Sequence, residues 1–244
     1  MTWSIIARDR DSGHFGIAIA SRFFAVGALC PHIRGGIGAL STQALVNPLY
    51  GERGLRLLAE GKDAAQTVAL LVDSDAGRDH RQLHLLDAAG RSAAYTGAAC
   101  VGWCGHRSGA GVSVAGNMLA GPEVLEATLR SFAALEGTAL GLRLLQALKA
   151  GEDAGGDKRG KQSAALRVHR GEHYPALEIR ADDHAAPIDE LFRLYEVAHQ
   201  RFLAFSQAFA TREDPVGVTD RAKIEADIER WLKARADAGG PGRI

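Results

Sequence analysis

The sequence predicts an α+β fold in which two stacked, mainly antiparallel sheets lie between layers of helices. Three observations carry that expectation. Short apolar segments are separated by turn residues, so consecutive strands are joined as hairpins. Helical spacing falls in groups between groups of strands, which places helix layers outside the sheets. The strand residues are mostly Ala, Gly and Ile, and small residues on both faces suit sheets packed on both sides.

The elements follow in order. Ser4 to Arg8 is a short apolar strand, Arg10 to Gly13 is turn chemistry, and Phe15 to Ser21 is the returning strand. Thr2 to Arg8 and Phe15 to Ser21 are therefore paired neighbours. Gly35 and Gly36 open a third strand, Ile37 to Thr42. Helical spacing starts near Pro48, with Leu55, Leu58 and Ala59 on one face. After Gly61, Ala65, Val68, Ala69 and Val72 do the same. Gln82 to Leu86 and Ser92 to Thr96 flank the turn Asp87 to Gly90, and Gly111 to Gly116 is one more strand. Val124, Leu125, Thr128, Leu129 and Phe132 line one helix; Leu140, Leu144, Leu145 and Leu148 line the next. Gly137 and Gly151 stand where C-terminal caps are expected. Gly151 to Lys161 is a polar loop, and Ser163 to Val168 pairs with Ala176 to Arg180. Pro187 starts a helix carrying Leu191, Phe192, Tyr195, Phe202 and Phe205, and Pro215 breaks it. Ile224, Ile228, Trp231 and Leu232 mark a last helix, and the stretch from Ala238 reads as a frayed tail.

Composition bounds the function. The chain has 244 residues, 46% apolar and 24% charged, and its 29 basic and 29 acidic residues cancel. That balance argues against nucleic-acid binding by bulk charge and against a polybasic membrane surface. No apolar run approaches the ~20 residues of a spanning helix. The start MTWSIIARD lacks a basic region followed by a long apolar one, so a cytoplasmic location is expected. Cys30, Cys100 and Cys104 make no disulfide framework. Cys100, Cys104 and His106 are half a zinc site without a second ligand pair, so they read as small thiols and no metal or other cofactor is expected.

Several groups carry candidate chemistry. Thr2 follows a methionine of the kind commonly removed before a small residue. A terminal α-amine, with a pKa near 8, can then take the hydroxyl proton of Thr2. The alternative is that Met-Thr is a common start. Gly155 to Ser163 is a near miss to a phosphate loop: Gln162 replaces the Mg²⁺-binding hydroxyl, and the loop leads into a strand rather than a helix. It reads either as a ligand loop carrying Asp157, Arg159, Gln162 and Ser163 or as a solvated turn. Arg34 ends an apolar stretch ahead of Ser41, Thr42 and Gln43; these read as site residues or as a strand end with local caps. Gly116-Asn117 ends a strand. Asp182-Asp183-His184 reads as a metal or triad fragment or as a solvated strand end.

The chain carries, in order, Thr2-x-Ser4-Ile5-x-Ala7-Arg8-Asp9, Ala20-Ser21-x-Phe23-x-Ala25-Val26-Gly27, Arg34-x-Gly36-x-Gly38-Ala39-x-x-Thr42-Gln43-Ala44, Asn47-Pro48-x-Tyr50-Gly51, Gly116-Asn117-x-Leu119, Gly155-Gly156-Asp157-x-Arg159-Gly160-x-Gln162-Ser163-Ala164-Ala165 and Asp182-Asp183-His184. In these motifs it resembles the bacterial domain-of-unknown-function family 1028, a branch of the N-terminal-nucleophile (Ntn) hydrolase superfamily. The resemblance implies a four-layer αββα sandwich over residues 1–186, with 187–244 as a C-terminal helical extension. It implies an amide (C–N) hydrolase with Thr2 as nucleophile, Arg34 in the place of a pKa-lowering base, and Asp157 and Ser163 on a loop near the nucleophile. Arg34 is an arginine and supplies charge without shuttling a proton. Thr42, Gln43, Asn117, Arg159 and Gln162 are the expected substrate contacts. The substrate is a small molecule, acidic if Arg34 or Arg159 pairs with its carboxylate. The rival expectation is a non-catalytic small-ligand binder on the same fold. Self-association is left open.

Overall fold

The computed structural model describes residues 2–237. The central hairpin is β1 (Thr2–Arg8) and β2 (Phe15–Ser21), paired from Thr2↔Ser21 to Arg8↔Phe15. A short helix, α1 (Val26–Leu29), leads to β3 (Pro31–Arg34) and β4 (Gly38–Ala44). Helices α2 (Leu49–Ala59) and α3 (Ala64–Asp73) precede β5 (Arg81–Asp87), β6 (Ser92–Thr96), β7 (Trp103–Gly109) and β8 (Val112–Leu119). Then come α4 (Glu123–Ala134), α5 (Leu140–Asp153), β9 (Ser163–His169), β10 (Leu177–Ala181), α6 (Pro187–Gln200), α7 (Phe202–Phe205) and α8 (Arg221–Asp237).

Two antiparallel sheets result, β10-β9-β2-β1-β8-β7 and β3-β4-β5-β6. The outer face of the first is buried under α4, α5 and α6 through Ile5, Val114, Leu125, Leu144, Leu166, Leu191 and Tyr195. The second is covered by α2 and α3 through Leu40, Tyr50, Leu71, Leu83 and Leu85. Ile6, Phe15, Ile17, Ile33, Ala39 and Leu86 fill the space between the sheets toward one end. The architecture is the αββα sandwich. Asn47, Tyr50 and Arg81 all donate to Asp75 Oδ2, at 3.1, 2.8 and 3.1 Å, so the Asn47-to-Gly51 motif ties the start of α2 to the end of α3. Burial alone would raise the Asp75 carboxyl, but these donors hold it well below its ordinary range.

The structure differs from the expectation at four places. Gly35 and Gly36 do precede a strand, Gly38–Ala44, but it is the fourth: Pro31–Arg34 is itself a strand, too short to show a period. Trp103–Gly109 is also a strand. Its sequence WCGHRSG is polar because it lies at a sheet edge, where outward positions need no apolar partner. Gly151 lies inside α5 rather than at its cap, while Gly155 takes the left-handed backbone beyond it, at φ 115°. The helix from Pro187 ends at Gln200, well before Pro215, and Phe202 and Phe205 belong to a separate turn. Met1 and the stretch from Ala238 lie outside the described residues.

Gly151 lets α5 approach the strand that carries Thr2. A Cβ there would lie 2.4 Å from Thr128 Oγ1 and 2.8 Å from Trp3 Nε1. Thr128 is buried and bonded to Val124 O at 2.7 Å, so it has nowhere to move. Alanine gains about 1 kcal/mol of helix propensity over glycine, against about 1–3 kcal/mol for overpacking. The steric cost prevails, and Gly151→Ala should lower the melting temperature in a thermal denaturation; a raised one would show that α5 can shift.

Candidate active site

The register of the first sheet lines up four polar side chains on one edge. Asn117 lies opposite Thr2, Thr2 opposite Ser21, and Ser21 opposite Ser163. Directly opposed residues share a face, and this face turns toward the second sheet: Ser4, two residues on from Thr2, bonds to Gln43 and His84 there. Thr2 is 6% exposed, and its Oγ1 lies 3.1 Å from Ser21 Oγ.

Behind this row runs a chain of uncharged hydrogen bonds between the sheets. Ser4 Oγ donates to Gln43 Oε1 at 2.7 Å, so it accepts from His84 Nε2 at 2.8 Å. That assigns the proton to Nε2 and leaves Nδ1 to accept from Ser113 Oγ at 2.9 Å. Gln43 Nε2 donates to Gln82 Oε1 at 2.8 Å and, at 3.5 Å, to the Thr2 carbonyl. Asn117 Nδ2 donates to the same Gln82 oxygen at 3.0 Å, and Gln82 Nε2 reaches Gly116 O at 2.8 Å. His84 is fully buried. Desolvation, helped by the nearby His106, lowers its pKa to about 3, so it is neutral. It anchors the chain and is not a base. Cys30 is held as a thiol, its pKa pushed up to about 12 by burial.

The expected site residues separate into groups. Gln43 and Asn117 belong to the network, 1% and 2% exposed, and both are spent on Gln82. Asp157 accepts from the Arg22 and Arg159 backbone N–H groups at 2.9 and 2.7 Å, with the Arg159 guanidinium at 3.3 Å. Ser163 Oγ donates to Phe23 O at 2.5 Å and accepts from Val26 N–H at 3.1 Å. Neither hydrogen-bonds Thr2. Ser163 lies two strands away, about 10 Å by strand spacing, with Ser21 between. Asp157 and Ser163 instead fix the backbone that follows Ser21. Gln162 is bonded to Asp183 Oδ1, and Asp182 O accepts from Ala25 N–H, so the Asp182-Asp183-His184 stretch buttresses the same turn and is no triad.

Two residues must be taken off the site. Arg34 pairs with Gly38, at the far end of β4 from Gln43; five residues at about 3.4 Å each separate the two positions. The chain reaches the second sheet through α1 and enters β3 at the Thr2 end, so Arg34 finishes at the other. Thr42 alternates with Ser41 and Gln43 and so faces the helical layer, its hydroxyl bonded to Asn47 O at 3.2 Å.

Ser21 is the residue the motif reading passed over. Its place follows from the hairpin register alone: six residues back from Arg8↔Phe15 is Thr2↔Ser21. A second mark is backbone strain. Among the described residues, the non-glycine positions with positive φ are Ala25 (51°), Ala44 (69°) and Met118 (53°). Ala44 adjoins Gln43, Met118 adjoins Asn117, and Ala25 adjoins Val26, the partner of Ser163. Each such conformation costs on the order of 1–3 kcal/mol and concentrates where function overrides stability.

A model of the DUF1028 family, described as a family of unknown function, matches residues 2–191. The crystal structure of a DUF1028-family protein from Silicibacter pomeroyi aligns with a TM-score of 0.82 at 32% identity, covering 90% of this chain and 99% of that one. Anbu (ancestral β-subunit) from Yersinia bercovieri aligns at a TM-score of 0.37 and 12% identity, over 99% of each chain. An Anbu (Gly-1) mutant from Hyphomicrobium sp. strain MC1 aligns at 0.42 and 12%, over 86% of this chain and 99% of that one. No curated protein matches. Among the described residues no helix is long and apolar enough to cross a membrane, and no group of three or more His, Cys, Asp or Glu is placed to hold a metal ion.

The neutral His84 makes stability depend on pH. Unfolded, it binds a proton near pH 6.5; folded, only near pH 3. Its contribution is complete above pH 6.5 and is lost as pH falls toward 3. His84→Gln should therefore flatten the fall of urea-unfolding free energy between pH 6 and 4 by up to about 1.4 kcal/mol per pH unit, the value of one proton. An unchanged slope would mean that His84 is already protonated in the folded chain.

Proposed function

Since the chain belongs to the DUF1028 family, whose name assigns no activity, we propose from its own geometry that it is an Ntn-type hydrolase cleaving a C–N (amide) bond, with Thr2 as nucleophile once Met1 is removed. One observation carries the reading: Thr2 heads the central strand at the strained end of the sandwich, its hydroxyl within hydrogen-bond reach of Ser21 and its carbonyl against Gln43.

In this mechanism Thr2 Oγ attacks the amide carbonyl carbon while its proton passes to the Thr2 α-amine. Collapse of the tetrahedral adduct breaks the C–N bond, and the ammonium returns the proton to the leaving nitrogen. Water, deprotonated by the same amine, then cleaves the ester, releasing the acid and restoring the Thr2 hydroxyl. Ser21 holds Thr2 Oγ in place and can relay the proton over the short gap to the amine. An α-amine has an ordinary pKa near 8, far below that of lysine, which suits a general base. Asp157 and Ser163 act by positioning Ser21. Arg34 has no part. The substrate class remains a small amide, and Arg159, held by Asp157 and the Arg22 carbonyl but half exposed, is the guanidinium proposed to face an acidic group.

A second reading has its own support. The side chains that hydrogen-bond Thr2, Ser21 and Gln43, are uncharged. A site without a charged base suits a non-catalytic binder of a small neutral ligand.

Intact mass of the purified protein separates the two at the first step. The hydrolase reading expects the mass to lack one methionine, and expects Thr2→Ala to abolish amide turnover, about 10³-fold or more, with little change in melting temperature. Retained methionine would leave the binder, and turnover undiminished in Thr2→Ala would rule out Thr2 as the nucleophile.

A further inference from the structure

The removal of Arg34 from the Thr2 site leaves a cation without a task. No hydrogen bond or ion pair joins its guanidinium to any described residue, although it is half buried. Arg81 is paired with Asp75, Arg167 with Glu178, Arg180 with Asp182 and Arg212 with Glu172, while Arg8 and Arg170 share the unpaired state but do not line this cleft. A half-buried cation without a counter-charge is costly, and an arginine fork matches two oxygens at once.

Its surroundings are built to leave it so. Arg34 lines a cleft of about 480 Å³ together with Ile33, Glu52, Leu55, Arg56 and His173. Ligand pockets of this size are ordinary. Arg56 holds only a loose contact with Glu60, at 3.8 Å. His173 comes from the β9–β10 loop of the other sheet, and Gly35 brings it close. A Cβ at Gly35 would lie 2.2 Å from Glu172 O and 2.6 Å from Gly171, so only glycine lets the end of β3 abut that loop. The one carboxylate of the loop, Glu172, is taken by Arg212 Nε at 3.1 Å. Glu52 remains as the single acid against Arg34, Arg56 and His173. The imidazole of His173 lies below its ordinary range through burial and the positive charges of Arg34 and Arg212, which outweigh Glu172.

The geometry points to an oxyanion-binding site in this cleft, at the opposite end of the sandwich from Thr2, in which Arg34 takes two oxygens of a small phosphate or polycarboxylate and Arg56 and His173 close around it. The apolar floor of Ile33 and Leu55 would seat a short carbon skeleton attached to the anionic group. The site is independent of whether Thr2 is a nucleophile.

Calorimetric titration of the full-length protein with sodium phosphate and, separately, sodium malonate tests this, with sodium chloride at matched ionic strength as the reference. At least one anion should bind saturably, and more weakly as salt is added. The stronger of the two identifies the ligand as phosphoryl or carboxylate. Arg34→Gln should weaken binding about tenfold or more, as loss of a charge-assisted pair does. Arg10→Gln, which alters an exposed arginine elsewhere, should leave it unchanged. Should Arg34→Gln fail to fold, Arg34→Lys and Arg56→Gln replace it, each expected to weaken binding at least threefold. Absence of saturable binding by both anions, or wild-type affinity in the folded Arg34 and Arg56 variants, overturns the proposal.

Discussion

Gln43 and Gln82 join the two sheets at the end where Thr2 lies, and much of the site depends on that bridge. Both side chains are almost fully buried, so each amide atom must find a partner inside the protein. The single contact Gln43 Nε2 to Gln82 Oε1 fixes how the remaining atoms are used. Gln43 Oε1 is left to accept from Ser4, which obliges His84 to donate to Ser4 and to accept from Ser113. Gln82 Nε2 is left to hold the Gly116 carbonyl beside Asn117. A break anywhere leaves a buried polar atom unsatisfied, at a cost of about 1–3 kcal/mol. The chain thus locks sheet register and proton order together.

That lock explains why the site contains so little charge. A charged His84 would need to donate from both nitrogens, and Ser113 could then no longer donate to Nδ1. Burial penalises that state as well, so the direction of the pKa shift and the direction of the hydrogen bonds agree. In the hydrolase reading the acid–base work falls to the Thr2 amine, whose own strand is held by Ser21, Asn117 and Gln43. The charged residues nearby, Asp157 and Arg159, are spent on backbone around Arg22.

The layers, the hairpins and the order of most elements are legible in the sequence, because small-residue strands and amphipathic helices state their burial locally. What is not legible is direction. Arg34 and Gln43 belong to one motif and lie nine positions apart, a separation that a turn can fold together or a strand can hold apart. Here β3 and β4 are antiparallel, and Arg34 and Gln43 stand at opposite ends. Nothing in residue types reports that. Ser21 is the converse case: it looks like any strand-end serine until the hairpin register is counted, and then it falls on Thr2. Thr42 fails by parity, since a site on one face of a strand excludes every second residue.

The glycine-rich motifs show the same limit from the other side. Gly35 and Gly151 read as turn and cap, the usual local uses of glycine. In the folded chain both are points where two distant segments touch: Gly35 against the backbone of Gly171 and Glu172, Gly151 against Thr128 and Trp3. The first brings Arg34 and His173 into one cleft; the second packs α5 against the residue after Thr2. A glycine required for close approach has no local signature, since its reason lies more than a hundred residues away in the first case. The two ends of the sandwich are therefore each defined by a contact that only glycine permits. One end gathers strained backbone around an uncharged hydroxyl, and the other sets an unpaired arginine in a cleft whose single acid is Glu52.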